Sequence, residues 1–308
     1  MNEQKIINKR WEKIDKELNK YIKNFKYDVK TRLKAIIKTF DVSNDNLYAY
    51  LTKDDLSVFK TSLQDNINDD MTGYLRYEVD NMLKRTKIKY YEALELLIKV
   101  AYFKTMNKSK KFEDELFTAT ATITSEIVQI ESYDVKKPKM LYHLIPLPNY
   151  LLPQIMSLPL YLGYAWNDYK DNIILYNANK MYRNIVIDIQ QNRLDLDKYN
   201  RTFEIERKRY INALDNEVAS ISSQVALWGM KQQGIKEVRY VAVMDDRTTN
   251  ICKSMNGQVF SIDDVNVYYR YANNDDDRMT RYETEGLKIG ENCPALHYNC
   301  RSVLYPYK

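Results

Sequence analysis

The sequence predicts a mainly α-helical protein with a small C-terminal α+β module and a long N-terminal helix. Three observations carry that reading. Only 7 Gly and 7 Pro occur among 308 residues, so few breakers interrupt the elements. Apolar residues in the first forty positions recur at three- and four-residue steps, the period of a helix face. After Gly234 the texture changes to short β-branched alternation, the signature of strands. A hydrophobic fraction of 44% and a charged fraction of 29% are those of a soluble globular chain, long enough for two domains.

The elements follow in order. Ile7, Trp11, Ile14, Leu18, Tyr21 and Phe25 form an apolar stripe, and Val29, Leu33, Ile36 and Phe40 continue it after a small phase shift. Such a heptad-like seam packs either within its own domain or against a second copy. Ser43 and Thr52 read as helix N-caps, with Asp55 three residues after Thr52 close to a capping box. Helical segments run on to about residue 135, although residues 119–130 are rich in Thr, Ile and Val, which lower helix propensity. Five of the seven prolines lie at 138, 146, 148, 153 and 159. They mark a linker between two halves. A second helical region runs from about Trp166 to Gln233, with Gly234 as its C-terminal stop. Beyond it, residues 237–244 read as a strand. Asn256-Gly257 reads as a tight hairpin turn, Val259-Phe260 as the returning strand, residues 273–278 as an acidic loop and residues 301–307 as a last strand. The expected divisions are a helical N-terminal region over 1–137, a proline-rich apolar connector over 138–165, a helical region over 166–235 and the α+β module over 236–308.

Charge is unevenly placed. The chain carries +5 overall, yet residues 1–40 hold twelve Lys/Arg against five Asp/Glu, while residues 236–308 hold ten against eleven. The first helix is therefore the basic element. Lys9, Arg10, Lys13, Lys16, Lys20 and Lys23 are candidates for phosphate contact, or form a solvated helix face. The 27 Tyr against 8 Phe fit an AT-rich codon bias as well as any function. Residues 141–167 contain no Asp, Glu, Lys or Arg and are long enough to span a bilayer. Four prolines interrupt them, so the expectation is a buried connector or an apolar docking surface rather than a membrane span.

The three cysteines are Cys252, Cys293 and Cys300. An odd, low count argues for a reducing compartment and against a disulfide framework. Cys252, Cys293, His297 and Cys300 make a Cys₃His set of the kind that suits tetrahedral zinc. The same residues equally suit a buried thiol cluster with Arg301 paired to Asp245 or Asp246. A Cys/His nucleophile pair is a third option, but it lacks a recognisable orienting residue or nucleophile loop. No Gly-rich phosphate loop, His-Glu-x-x-His motif or nucleophile elbow is present.

Asp245, Arg247, Thr248 and Cys252, followed by Gly257 and later by Pro294, His297, Cys300 and Arg301, resemble the C-terminal module of the Mu F-like phage head morphogenesis family, the minor head proteins of tailed phages. Trp166-Asn167-Asp168 is similar to the family's Trp-Ser-Asp/Glu stretch. Glu217 stands where the family carries Arg-Thr-Glu, with Asp215-Asn216 in place of Arg-Thr. The likeness spans roughly residues 160–308. It departs from the family pattern at Thr249 and Ser302, each standing where the family has Cys, and at Cys293. The resemblance implies a non-enzymatic virion component in the capsid interior near the portal, made in the host cytoplasm. It further implies partners among the portal, scaffolding or major capsid proteins, non-specific contact with packaged DNA, and exit with that DNA at ejection. The same module is also found joined to toxin domains, so an effector enzyme is the alternative. The N-terminal half offers no paired His, carboxylate dyad or nucleotide motif to support it.

Overall fold

The computed structural model describes residues 3–65, 71, 73–136, 146–156, 166–244, 248–264 and 300–307. The helices are α1 (Glu3–Asn24), α2 (Val29–Phe40), α3 (Lys53–Gln64), α4 (Gly73–Lys84), α5 (Tyr90–Lys136), α6 (Leu151–Met156), α7 (Trp166–Gln190), α8 (Asn200–Gln232) and α9 (Asn250–Met255). Three strands, β1 (Glu237–Val241), β2 (Val259–Ser261) and β3 (Val303–Pro306), form an antiparallel sheet in the order β2-β1-β3. The mainly α architecture with a small C-terminal sheet is thus as the sequence predicts. The chain divides into two compact units, each assembled from separate stretches.

The first unit comprises Met1–Asn24, Phe112–Tyr169 and Tyr210–Lys308. In α1 the apolar stripe is buried, and Trp11 Nε1 donates to the Arg301 carbonyl at 2.8 Å. The seam therefore packs within its own domain. At the centre of this unit lies α8, whose residues 216–227 are all buried. A helix buried on every side is a core helix. Here it is built largely from Ala, Ser and Val, small side chains that let neighbours approach closely. Its Ser222 hydroxyl bonds Thr124 of α5 at 2.9 Å, and a Cβ added at Gly229 would lie 3.3 Å from Val128. This packing explains why residues 119–130 are the interior of a 47-residue helix despite their Thr and Val content. Tertiary contact overrides a weak propensity. Gly234 ends α8 in the left-handed region (φ 67), with Ile235 N bonded to Met230 O, as a C-terminal glycine should.

The second unit comprises Phe25–Lys111 and Lys170–Arg209. Residues 25–28 interrupt the N-terminal stripe between α1 and α2, which accounts for its phase shift. Thr52 caps α3 by accepting from Asp55 N at 3.1 Å, and its own hydroxyl reaches Asp55 Oδ2 at 2.6 Å. Ser43, by contrast, heads a series of turns rather than an α-helix. Leu47 N bonds its carbonyl, and the chain then extends so that Leu51 N meets Ile88 O and Tyr50 bridges Lys89. Inside the unit, Tyr27 and Tyr102 both donate to the buried Glu206 carboxylate, Tyr27 at 2.8 Å. Tyr199 donates to Asp188, which also meets Lys198 and Arg193. Several of the abundant tyrosines thus have a structural task, since a buried carboxylate must be supplied with donors.

Of the proline-rich segment, residues 146–156 are described. They hold a turn and the short α6, with Leu151 and Ile155 buried. Among the described residues no helix is long and apolar enough to cross a membrane.

Candidate functional site

The C-terminal module is organised around β1, the middle strand. Val238 pairs with Phe260 on one side and with Pro306 on the other. Proline is tolerated there because β3 is an edge strand. Val259-Phe260 is the returning strand, as the sequence suggests. Asn256-Gly257 is not a two-residue hairpin turn, because α9 intervenes between β1 and β2. The pair instead ends α9 and feeds the chain into β2. Gly257 takes a left-handed conformation (φ 85) and its N–H bonds Tyr240 O at 2.8 Å. The Asn256 side chain accepts from Ala242 N at 2.9 Å. The dipeptide is turn chemistry, and what it turns is a helix end.

Two motif residues fix the start of α9. The Thr248 hydroxyl donates to Val243 O at 2.7 Å, and Thr249 is the N-cap, accepting from Cys252 N. Where the family pattern has a thiol, Thr249 supplies a cap. Cys252 is thereby turned inward, where its Sγ lies 3.7 Å from the Sγ of Cys300, just before β3. Both thiols are buried, and no disulfide joins them. The Tyr240 hydroxyl, buried in β1, is 3.3 Å from Cys252 Sγ. Burial first, and then the neighbouring Cys300 and Cys252, push that phenol well above its ordinary range, so it keeps its proton. The structure therefore brings together Thr248, Cys252, Gly257 and Cys300. Asp245, Arg247, Cys293, Pro294 and His297 lie outside the described residues, as does the expected acidic loop at 273–278. Among the described residues no group of three or more His, Cys, Asp or Glu is placed to hold a metal ion.

Arg301 follows Cys300 in the chain. Its guanidinium pairs with Asp15 of α1 at 3.5 Å, while its carbonyl takes the Trp11 indole. The pairing expected from the sequence, with Asp245 or Asp246, falls on residues outside the described ones. The Trp11–Arg301 contact spans 290 positions and leaves no local signal.

The basic face of α1 is narrower than its composition suggests. Lys9, Lys13, Lys16, Lys20 and Lys23 are exposed and fall at helical spacing on one side. Arg10 is fully buried and does not belong to this face. It lies three residues after Ile7 and four before Ile14, which places it on the apolar seam. Arg10 is therefore removed from the phosphate-contact set.

Two buried carboxylates of the first unit were not singled out for burial by the sequence. Glu113 receives the Tyr210 hydroxyl and, at 3.3 Å, the indole N–H of Trp166. Trp166 also stacks edge-on against Phe117. Glu217 is wholly buried, and among the described residues neither of its carboxyl oxygens has a hydrogen-bond partner. Burial alone pushes its carboxyl up to about 8, so it is protonated at neutral pH.

No curated protein and no solved structure matches the chain. A family model does match, over a range that includes all nine motif positions from Asp245 to Arg301 and Glu217 but excludes Trp166-Asn167-Asp168. Residues 188–305 of this chain are similar to the family described as Phage Mu protein F like protein.

Proposed function

We propose that the protein is a minor head protein of a tailed bacteriophage: a structural, non-enzymatic component in the capsid interior beside the portal. The family match over residues 188–305 carries this reading. The packing supports it. The Mu F-like sheet is tied to α1 through Trp11, Asp15 and Arg301, so the basic helix is displayed from the module itself. On this reading the portal, scaffolding or major capsid protein is the docking partner, and the lysine face of α1 meets packaged DNA. From Lys9 to Lys23 the face runs roughly 21 Å at 1.5 Å per residue, so several phosphates lie within its reach.

Cryo-EM of virions tests the location. Density for the chain inside the shell next to the portal is the expected result, and density confined to the outer surface or tail rejects the proposal. DNA contact is tested by titrating duplex DNA at several salt concentrations. Five lysines predict a log–log slope of roughly −4 to −5, reduced by about three when Lys13, Lys16 and Lys20 become Ala. An affinity that stays flat with salt rejects the phosphate contact.

A further inference from the structure

We infer that Cys252 and Cys300 are an oxidative modification site: two thiols that join as a disulfide when the protein meets a peroxide. The inference stands on the geometry of the module and does not depend on the capsid reading.

The two sulfurs are 48 residues apart in sequence, yet their Sγ atoms are 3.7 Å apart. A disulfide requires about 2.05 Å, so closure asks for less than 2 Å of sulfur movement. Cys252 is within α9, capped by Thr249, and Cys300 lies three residues before β3, which is paired to β1. The elements that carry the sulfurs are thus already held together by the sheet. The nucleophile in the first step is a thiolate, and the Tyr240 hydroxyl, at 3.3 Å from Cys252 Sγ, is placed to donate to that charge. The chemistry balances with hydrogen peroxide as oxidant. The Cys252 sulfur attacks one peroxide oxygen, the O–O bond breaks, and the departing hydroxide takes the thiol proton to leave as water. The resulting sulfenic acid is attacked at sulfur by Cys300. The S–O bond breaks, and the hydroxide leaves as a second water with the Cys300 proton. Each sulfur gives up one electron, and the peroxide is reduced by two. In a reducing cytoplasm the pair stays as thiols; outside the cell it closes and links α9 to the start of β3.

The test uses the purified full-length chain, reduced and then treated with hydrogen peroxide. Under denaturing conditions the untreated chain, with 3 Cys, titrates three thiols. The oxidised chain should titrate one, lose two hydrogen masses, and recover all three thiols on adding dithiothreitol. Peptide mapping without reductant should find the Cys252 peptide joined to the Cys300 peptide. Cys293→Ser should leave this linkage intact and Cys252→Ser should abolish it. A bridge through Cys293, sulfinic acid on either sulfur, or thiols still unreacted after a control dithiol peptide has closed would overturn the inference. So would stoichiometric zinc that must be chelated before the pair can react.

Discussion

Replacing Glu217 by Gln should change how the protein's stability depends on pH. The carboxyl is fully buried in α8 with no hydrogen-bond partner among the described residues, and its value moves from 4.5 to about 8. A raised folded-state value means that the native protein keeps a proton the unfolded chain has already lost. Stability linked to this group is therefore fully present below about pH 4.5 and is lost as pH rises toward about 8. The gap of roughly 3.5 units corresponds to about 5 kcal/mol over the whole window, of which about 3 kcal/mol has gone by about pH 7. Glutamine has nearly the same shape and no proton to lose. The E217Q chain should match the parent near pH 4.5 and gain on it by about 1.4 kcal/mol per pH unit above that. Urea unfolding followed by tryptophan fluorescence is the assay. Trp11, Trp166 and Trp228 all belong to the unit that contains Glu217, so the signal reports that unit. A difference between the two proteins that does not vary between about pH 5 and pH 8 would refute the reasoning, because it would mean the carboxyl ionises alike in both states.

Tyr210→Phe removes the donor to the buried Glu113 carboxylate and should cost about 1–3 kcal/mol in the same urea assay. Thr52→Ala removes the N-cap of α3, for a loss of about 1 kcal/mol measured by far-UV circular dichroism. Gly257→Ala places a side chain at φ 85 with open space around it. Only backbone strain opposes this change, so the loss is about 1 kcal/mol and the fold is kept. Trp11→Phe keeps most of the buried ring but loses the bond to the Arg301 carbonyl. It should destabilise the first unit by about 1 kcal/mol, read as a lower urea midpoint.

What the sequence revealed follows from how local each signal is. The α1 stripe, the Thr52 cap and the Gly234 stop are each set by residues within one or two helical turns, and each is found in place. Residues 119–130 defy their composition because α8 packs small residues against them, a fact about a partner a hundred positions away. Arg10 is charged and lies among lysines, so composition placed it on the basic face, whereas its helical phase puts it on the seam. Asn256-Gly257 was legible as a turn, but the sequence signal did not reveal that a six-residue helix separates it from β1. Of the candidate site, the likeness in the cysteine and threonine motif was readable, and the structure adds that Cys252 and Cys300 touch. The roles of Tyr240, Asp15 and Trp11 could not be read locally, since each depends on a contact made across the fold. The tyrosine excess is partly explained by the phenols that donate to Glu206, Glu113 and Asp188.

The most direct measurement is mass spectrometry of density-purified virions from a phage whose genome encodes this chain, comparing DNA-filled particles with particles emptied by triggered ejection. The chain should be present in filled particles, at far fewer copies than the major capsid protein, and depleted from emptied ones. Finding it only in the infected-cell lysate, with none in the particles, would rule out a minor head protein.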